Sequence, residues 1–407
     1  MRIAEINMVT NGSTGKIMLQ LAQTVRKHGS IARTYSPILF SSRKRKSEHS
    51  SFTDHFVWGS RFEAAFHCYA GTILGRNGMY SKRGTRQLIE DLKEFSPDVI
   101  HLHNLHSFCI NLPMLFDYIK KNNIKVVWTL HDCWAFTGHC PHFDILKCDK
   151  WKTECHHCPQ PRVYPKMYID TSEKMYNLKK KWFCGIKDMT IVTPSKWLAD
   201  CVKQSFLNEY PIKVINNGID LSVFKPVESN FREKYNLENK KIILGVAFGW
   251  GYRKGIDVFS ELSKRLGDDY KIVLVGTDPD TDSKLPENII SINRTDNQVE
   301  LAKIYTAADL FVTPTREDNF PTVNIEALAC GTPVLTFRTG GSPEIADESC
   351  GSVVDVDDFD GMESEIIRIC TESPYSKEAC LKKAKQYDKN NCFEEYIKVY
   401  EDCSYRT

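Results

Sequence analysis

Along this chain, short apolar runs alternate with longer stretches in which apolar residues return every three or four positions. The runs "RIAEINMV" (2–9), "DVIHLH" (98–103), "KVVWTLH" (125–131) and "MTIVTP" (189–194) read as strands buried on both faces. Between them, "GKIMLQLAQTVRKHG" (15–29), "TRQLIEDLKEF" (85–95) and "NLPMLFDYIKKN" (111–122) carry the helical period. The second half repeats the theme. Its strands are "KIILGVAF" (241–248), "KIVLVG" (271–276), "LFVTP" (310–314) and "PVLTF" (333–337), and its helices include "GIDVFSELSKRL" (255–266) and "VELAKIYTAA" (299–308). Such alternation predicts parallel sheets covered by helices on both faces. Two series, split near 200–235 around "YPIKVINNGIDLSVFKP", predict an α/β protein of two Rossmann-like domains facing a deep cleft.

In sheets of this kind ligands sit beyond the carboxyl ends of the strands, so the loops there hold the candidate chemistry. In "TREDNFPTVNIEALACG" (315–331), Asp318 lies in the loop after a strand, and Glu326 lies about one turn into the next helix. Carboxylates so placed accept hydrogen bonds from sugar and ribose hydroxyls, while the amides of Asn319 and Phe320, beside a positive helix terminus, suit phosphate oxygens. Two solvated acids at a helix start would show the same spacing. His131 directly follows a buried strand, and His103 and His106 in "HLHNLH" stand at the end of another; acceptor contact and loop packing both fit the latter pair. Gly12 and Gly15 in "TNGSTGK" read as a flexible loop approaching a donor phosphate.

Length and composition narrow the class. A chain of 407 residues exceeds one ordinary core, and 42% hydrophobic with 26% charged residues is a soluble, globular balance. A formal net charge of +2 argues against a polyanion-binding surface over the whole molecule. The N-terminal stretch has no apolar core of a signal peptide, and no run approaches the roughly 18 apolar residues of a membrane span. With no export signal, fifteen cysteines point to a reducing, cytoplasmic setting.

The set of motifs is more specific than any one of them. "REDNFPTVNIEALACGTPVLTFRTGGSPEI" resembles the acid–seven–acid signature of the retaining glycosyltransferases of family 4, which have the GT-B fold, with Asp318 where the usual pattern has Glu. "NNGID" (216–220), "YRKGIDVF" (252–259) and "TLHD" (129–132) extend the match over nearly the whole chain. "WTLHDCWAFTGHC" and "CDKWKT" are similar to enzymes of the colanic-acid and exopolysaccharide kind. The resemblance implies an N-terminal acceptor domain at 1–205 and a nucleotide-sugar domain at 206–385, with a last helix at 386–407 crossing back to the first. It implies that Glu326 holds the donor ribose, Asp318 with Asn319 and Phe320 holds the transferred sugar, and Lys254 neutralises the diphosphate. His131 would touch donor sugar or phosphate, and Gly15 the donor phosphate. Many relatives carry an arginine where this chain has Phe248 and Gly249; Arg253 is the candidate replacement. The reaction implied is front-face transfer with retention, from a UDP- or GDP-sugar to a polyprenyl-linked saccharide in exopolysaccharide, capsule or O-antigen assembly. A nucleotide-sugar-binding protein without transfer, or an epimerase, is the alternative. No D-x-D pair marks a catalytic metal, and "DPDTD" (278–282) reads as a surface turn.

Five cysteines fall within 131–159. Cys140, Cys148, Cys155 and Cys158 form C-x7-C-x6-C-x2-C, a set able to enclose a structural zinc in an insertion (133–160) that lacks its own core. Free thiols or a redox disulfide are the other readings. Acids interleave with the lysines there, so nucleic acid is not an expected partner. Basic residues in "SSRKRK" (41–46), at Lys179–Lys181 and within 60–84 suit contact with an anionic membrane face, or solvated helix surfaces.

Overall fold

The computed structural model describes residues 1–39, 54–106 and 108–402. The basic run 41–46 lies outside the described residues. Two compact units emerge: Met1–Ile215 with Phe393–Thr407, and Asn216–Cys392.

Unit 1 is built on a seven-stranded sheet. Its strands are β1 (Arg2–Ile6), β2 (Ile31–Pro37), β3 (His55–Trp58), β4 (Val99–Leu102), β5 (Lys125–Thr129), β6 (Met189–Thr193) and β7 (Ile212–Val214). The order is β3-β2-β1-β4-β5-β6-β7, and every pairing is parallel. Alternation along β5 shows why the run had to be apolar throughout. Val126 and Trp128 enter a core with Phe116 and Phe183, while Val127 enters the opposite core with Ile3, Leu21 and Tyr400. Because β7 pairs with β6, the junction falls after Ile215 and not at 205.

Unit 2 carries six parallel strands: β8 (Lys241–Val246), β9 (Tyr270–Val275), β10 (Ile290–Ile292), β11 (Leu310–Thr313), β12 (Val334–Phe337) and β13 (Gly351–Val354). Their order is β10-β9-β8-β11-β12-β13, with Ile242 and Leu244 of β8 packed on one face and Ile243 on the other. The helix Lys389–Asp402 starts in unit 2, where Lys389 pairs with Asp220, and belongs to unit 1 from Phe393 onward.

One sequence expectation changes. Gly12 and Gly15 are not in a flexible loop; they open the helix Gly12–Lys27. A Cβ on Gly15 would sit 2.4 Å from the Thr10 carbonyl carbon, so glycine is there for close backbone packing. The cysteine-bearing segment has no separate core: Phe136, Cys140, Phe143 and Trp151 belong to the same core that Val126 and Trp128 enter. Phe143 stacks on Trp151 at 4.9 Å, and Phe136 packs against the same indole at 5.2 Å.

Candidate active site

In unit 2 the strand order reverses between β8 and β11, the switch point at which α/β sheets bind ligands. The turn after β8 holds Arg253 and Lys254, and the loop after β11 holds Asp318. Lys254 Nζ donates to Asp318 Oδ2 at 2.5 Å, with both side chains about one-fifth exposed. The turn and the loop are laced together by backbone: Arg316 N–H donates to Arg253 O at 2.9 Å, and Thr315 Oγ1 to the same carbonyl at 3.2 Å. Gly255 has φ +74°, and a Cβ there would meet Pro314 O at 2.3 Å. Gly340, at φ +52°, lies so close to Asp318 O that a Cβ would overlap it at 1.8 Å. Glycine is thus required on both sides of the loop that carries the acid.

Arg316 fixes this loop and has no signal in a spacing pattern. Its guanidinium, only 3% exposed, donates to Asp257 at 2.7 and 2.8 Å and to Asp357 at 2.8 Å, and lies over the Tyr252 ring at 3.8 Å. It grips the cationic turn from beneath, whereas Arg253 is exposed and donates to Glu317 O at 3.2 Å. Glu326 stands in the helix Thr322–Ala329, where its Oε2 accepts from the buried Tyr305 hydroxyl at 3.0 Å. Burial and then the Glu326 charge push the Tyr305 phenol well above its usual range, so it stays a donor and orients the carboxylate. Asn319 and Phe320 are buried, the latter against Tyr387. The two acids of the motif are therefore held by different partners, Lys254 for one and Tyr305 for the other.

Unit 1 has its own switch point, between β1 and β4. Asn7, immediately after β1, joins the loops: its Oδ1 accepts from Asn104 N–H at 3.2 Å and its Nδ2 donates to Val9 O at 3.0 Å. Next to it runs a buried polar chain. Glu5 Oε2 lies 2.9 Å from His101 Nδ1 and 3.1 Å from His103 Nε2, and Tyr400 donates to Glu5 Oε1 at 3.0 Å. His103 Nδ1 in turn hydrogen bonds His131 Nε2 at 3.1 Å, the two rings stacked at 5.4 Å. Burial alone would raise the Glu5 carboxyl, but His101 and His103 outweigh it and hold it down to about 2. Burial, with His101 beside it, lowers His103 to about 4. Burial and then His103 hold His131 well below the usual histidine range. His106 forms a second set, bonded to Asp132 and to the Tyr164 hydroxyl, each at 2.9 Å.

These contacts sort the sequence candidates. His131 is partly exposed at the end of this chain. His103 is buried with both ring nitrogens engaged by protein, so its influence on any ligand passes through His131. Glu5, Asn7, Tyr305 and Arg316 were missed. Glu5 did leave a trace, as the one carboxylate inside an otherwise apolar strand run.

The chain matches two protein-family models: Glycosyltransferase Family 4 over residues 46–223, and Glycosyl transferases group 1 over residues 227–390. Among curated proteins it is 28% identical over 268 residues to the putative colanic acid biosynthesis glycosyl transferase WcaC of Escherichia coli, covering 63% of this chain and 64% of that protein. The chain belongs to the family 4 glycosyltransferases. A 41.2 kDa protein in the cps region of Klebsiella pneumoniae is 24% identical over 397 residues, covering 94% of this chain and 99% of its own length. Among solved structures, the sucrose-phosphate synthase of Thermosynechococcus elongatus superposes with TM-score 0.73 at 16% identity, covering 98% of both chains. Anabaena HepE in complex with UDP and glucose superposes with TM-score 0.68 at 15% identity, covering 99% of this chain and all of the other. The GT-B fold expected from the motifs is the fold observed.

Proposed function

We propose that this family 4 member transfers a hexose from a UDP- or GDP-sugar to a lipid-linked saccharide, with retention at the anomeric carbon, in the assembly of a surface polysaccharide. The observation that carries the reading is the Lys254–Asp318 pair at the switch point of unit 2, with Tyr305-oriented Glu326 in the next helix. A cation there neutralises a departing nucleoside diphosphate, and the carboxylates accept hydrogen bonds from sugar and ribose hydroxyls. Relatives named for colanic acid and a cps region support the pathway class, and HepE solved with UDP and UDP-glucose supports the donor class.

In the step proposed, the acceptor hydroxyl oxygen bonds to the anomeric carbon from the face on which the carbon–phosphate oxygen bond breaks. The acceptor proton passes to the leaving diphosphate, so no protein nucleophile is needed and configuration is retained. Lys254 stabilises the charge that accumulates on the diphosphate. His131, kept neutral by burial and oriented by the His103–Glu5 chain, is available as a hydrogen-bond partner to donor or acceptor.

A lipid-linked acceptor is supported by the surface of unit 1. Along the helix Arg61–Leu74, Phe62, Phe66, Tyr69 and Ile73 form an exposed apolar stripe, Phe62 at 91% exposure. Tyr168 and Ile169 extend it, bonded by their N–H groups to Thr72 O and Ile73 O, with Arg162 and Lys166 over the Tyr168 ring. Apolar side chains ringed by cations suit an anionic membrane face, and no helix of the described residues is long and apolar enough to cross one. Proton NMR of the product bond, formed from an α-configured donor, tests the mechanism: an α linkage is expected, and a β linkage overturns retention.

A further inference from the structure

A long irregular segment, Thr137–Thr171, is folded around its cysteines. Its one regular element among these residues is the three-residue 3₁₀ turn Lys150–Lys152, and irregular connections of this length need something to hold them. Cys140, Cys148, Cys155 and Cys158 all line one small pocket. The turn that bears the last two is built with care. His157 takes φ +42°, Lys150 Nζ donates to His156 O and His157 O at 3.0 and 3.1 Å, and Cys158 N–H donates to Asp170 at 2.7 Å. Gly138 N–H points at Cys155 Sγ from 3.2 Å, and a Cβ on Gly138 would collide with Ser172 O at 2.3 Å.

A second observation concerns charge. Lys179 is 1% exposed, with Nζ donating to Trp134 O at 2.7 Å and Thr137 O at 3.0 Å and standing 3.6 Å from the centre of the Trp134 ring. Among the described residues no carboxylate pairs with it. The Thr137 carbonyl it holds leads directly into Gly138, whose N–H points at Cys155 Sγ. A buried ammonium calls for an anion nearby, and four thiolates on one divalent ion carry two net negative charges.

We infer that Cys140, Cys148, Cys155 and Cys158 form a structural zinc site, with Lys179 as its buried counter-charge. Four thiols release four protons as the ion binds, and the closed tetrahedral set leaves no position for catalysis. In the present structure no three of these sulfurs lie within 4.8 Å of one another; among the described residues that spacing is met by Glu5, His101 and His103, whose ligand atoms are already hydrogen bonded. Binding at about 2.3 Å from one ion therefore draws the sulfurs closer together than they lie here. The ion would tie the C-x2-C turn to the loop at Cys140 and so hold the following 162–169 strap against the helix Arg61–Leu74.

Metal analysis of the full chain, purified in reducing buffer without chelator, tests this independently of donor and acceptor. About one zinc per chain is expected, kept by Cys68→Ser and lost from the Cys155→Ser/Cys158→Ser double variant. Cobalt exchange into the unsubstituted chain should give thiolate-to-metal charge-transfer absorption, a readout that does not depend on a variant folding. Substoichiometric zinc with all four thiols open to alkylation, or a disulfide among them by mass spectrometry, would overturn the assignment.

Discussion

Lys254 and Asp318 face each other as an ion pair, so a ligand that engages either group redistributes an existing interaction. The pair is partly exposed, and its contribution to stability is at most about 1 kcal/mol. Its value to a transferase lies in the transition state, where the diphosphate gains charge. Lys254→Ala should therefore lower kcat by roughly a hundredfold or more while leaving the melting temperature nearly unchanged. A rise in KM alone, with kcat intact, would assign Lys254 to uniform donor binding. The acids could be read from spacing plus strand-end position. Arg316, Tyr305 and Asn7 could not, because each acts by filling a three-dimensional junction that no local pattern encodes.

The strands and helices of the two nucleotide-fold series were legible because parallel sheets demand continuous apolar runs, and those runs stand out against amphipathic helices. The junctions were less so. β7 has only three residues, one half-buried and two exposed, so periodicity could not place it, yet its pairing moves the unit boundary to Ile215. The loop reading of Gly12 and Gly15 failed because a glycine pair marks close backbone approach as readily as flexibility. The buried histidines of unit 1 lead to a pH dependence. His67, whose Nε2 accepts from Gly78 N–H at 3.1 Å, is lowered by burial to about 3, His103 is held at about 4, and His131 lies well below its usual value. As pH falls through about 6.5 the unfolded chain takes up protons that the folded one refuses, so stability declines with acidification. Each histidine should cost roughly 1 kcal/mol between about pH 7 and 5.5. Glu5 and Asp132, both held down to about 2, add to the loss only below the ordinary carboxylate range. Urea midpoints across that interval measure the slope; a flat profile would mean these rings protonate in the folded chain.

At the level of the molecule, the two units divide the labour expected of a polysaccharide transferase. Unit 2 carries the cation and carboxylates suited to an activated sugar, and unit 1 carries the buried histidine chain and an apolar, cation-ringed surface. Phe62→Asp/Phe66→Asp should abolish co-sedimentation with phosphatidylglycerol vesicles without changing the fold, since both rings are largely exposed. Unchanged sedimentation would remove the membrane from the account. The central claim is that unit 2 recognises a nucleotide-activated sugar through Asp318, Lys254 and Glu326. Thermal stabilisation across UDP-, GDP-, dTDP- and CMP-sugars, beside the free nucleotides and with Glu326→Gln in parallel, tests it most directly. One base series, UDP or GDP, should stabilise the chain by about 2.7 kcal/mol at a hundredfold excess over Kd, and Glu326→Gln should blunt that gain. A flat panel with folded protein, or equal stabilisation of the Glu326→Gln chain, would contradict it.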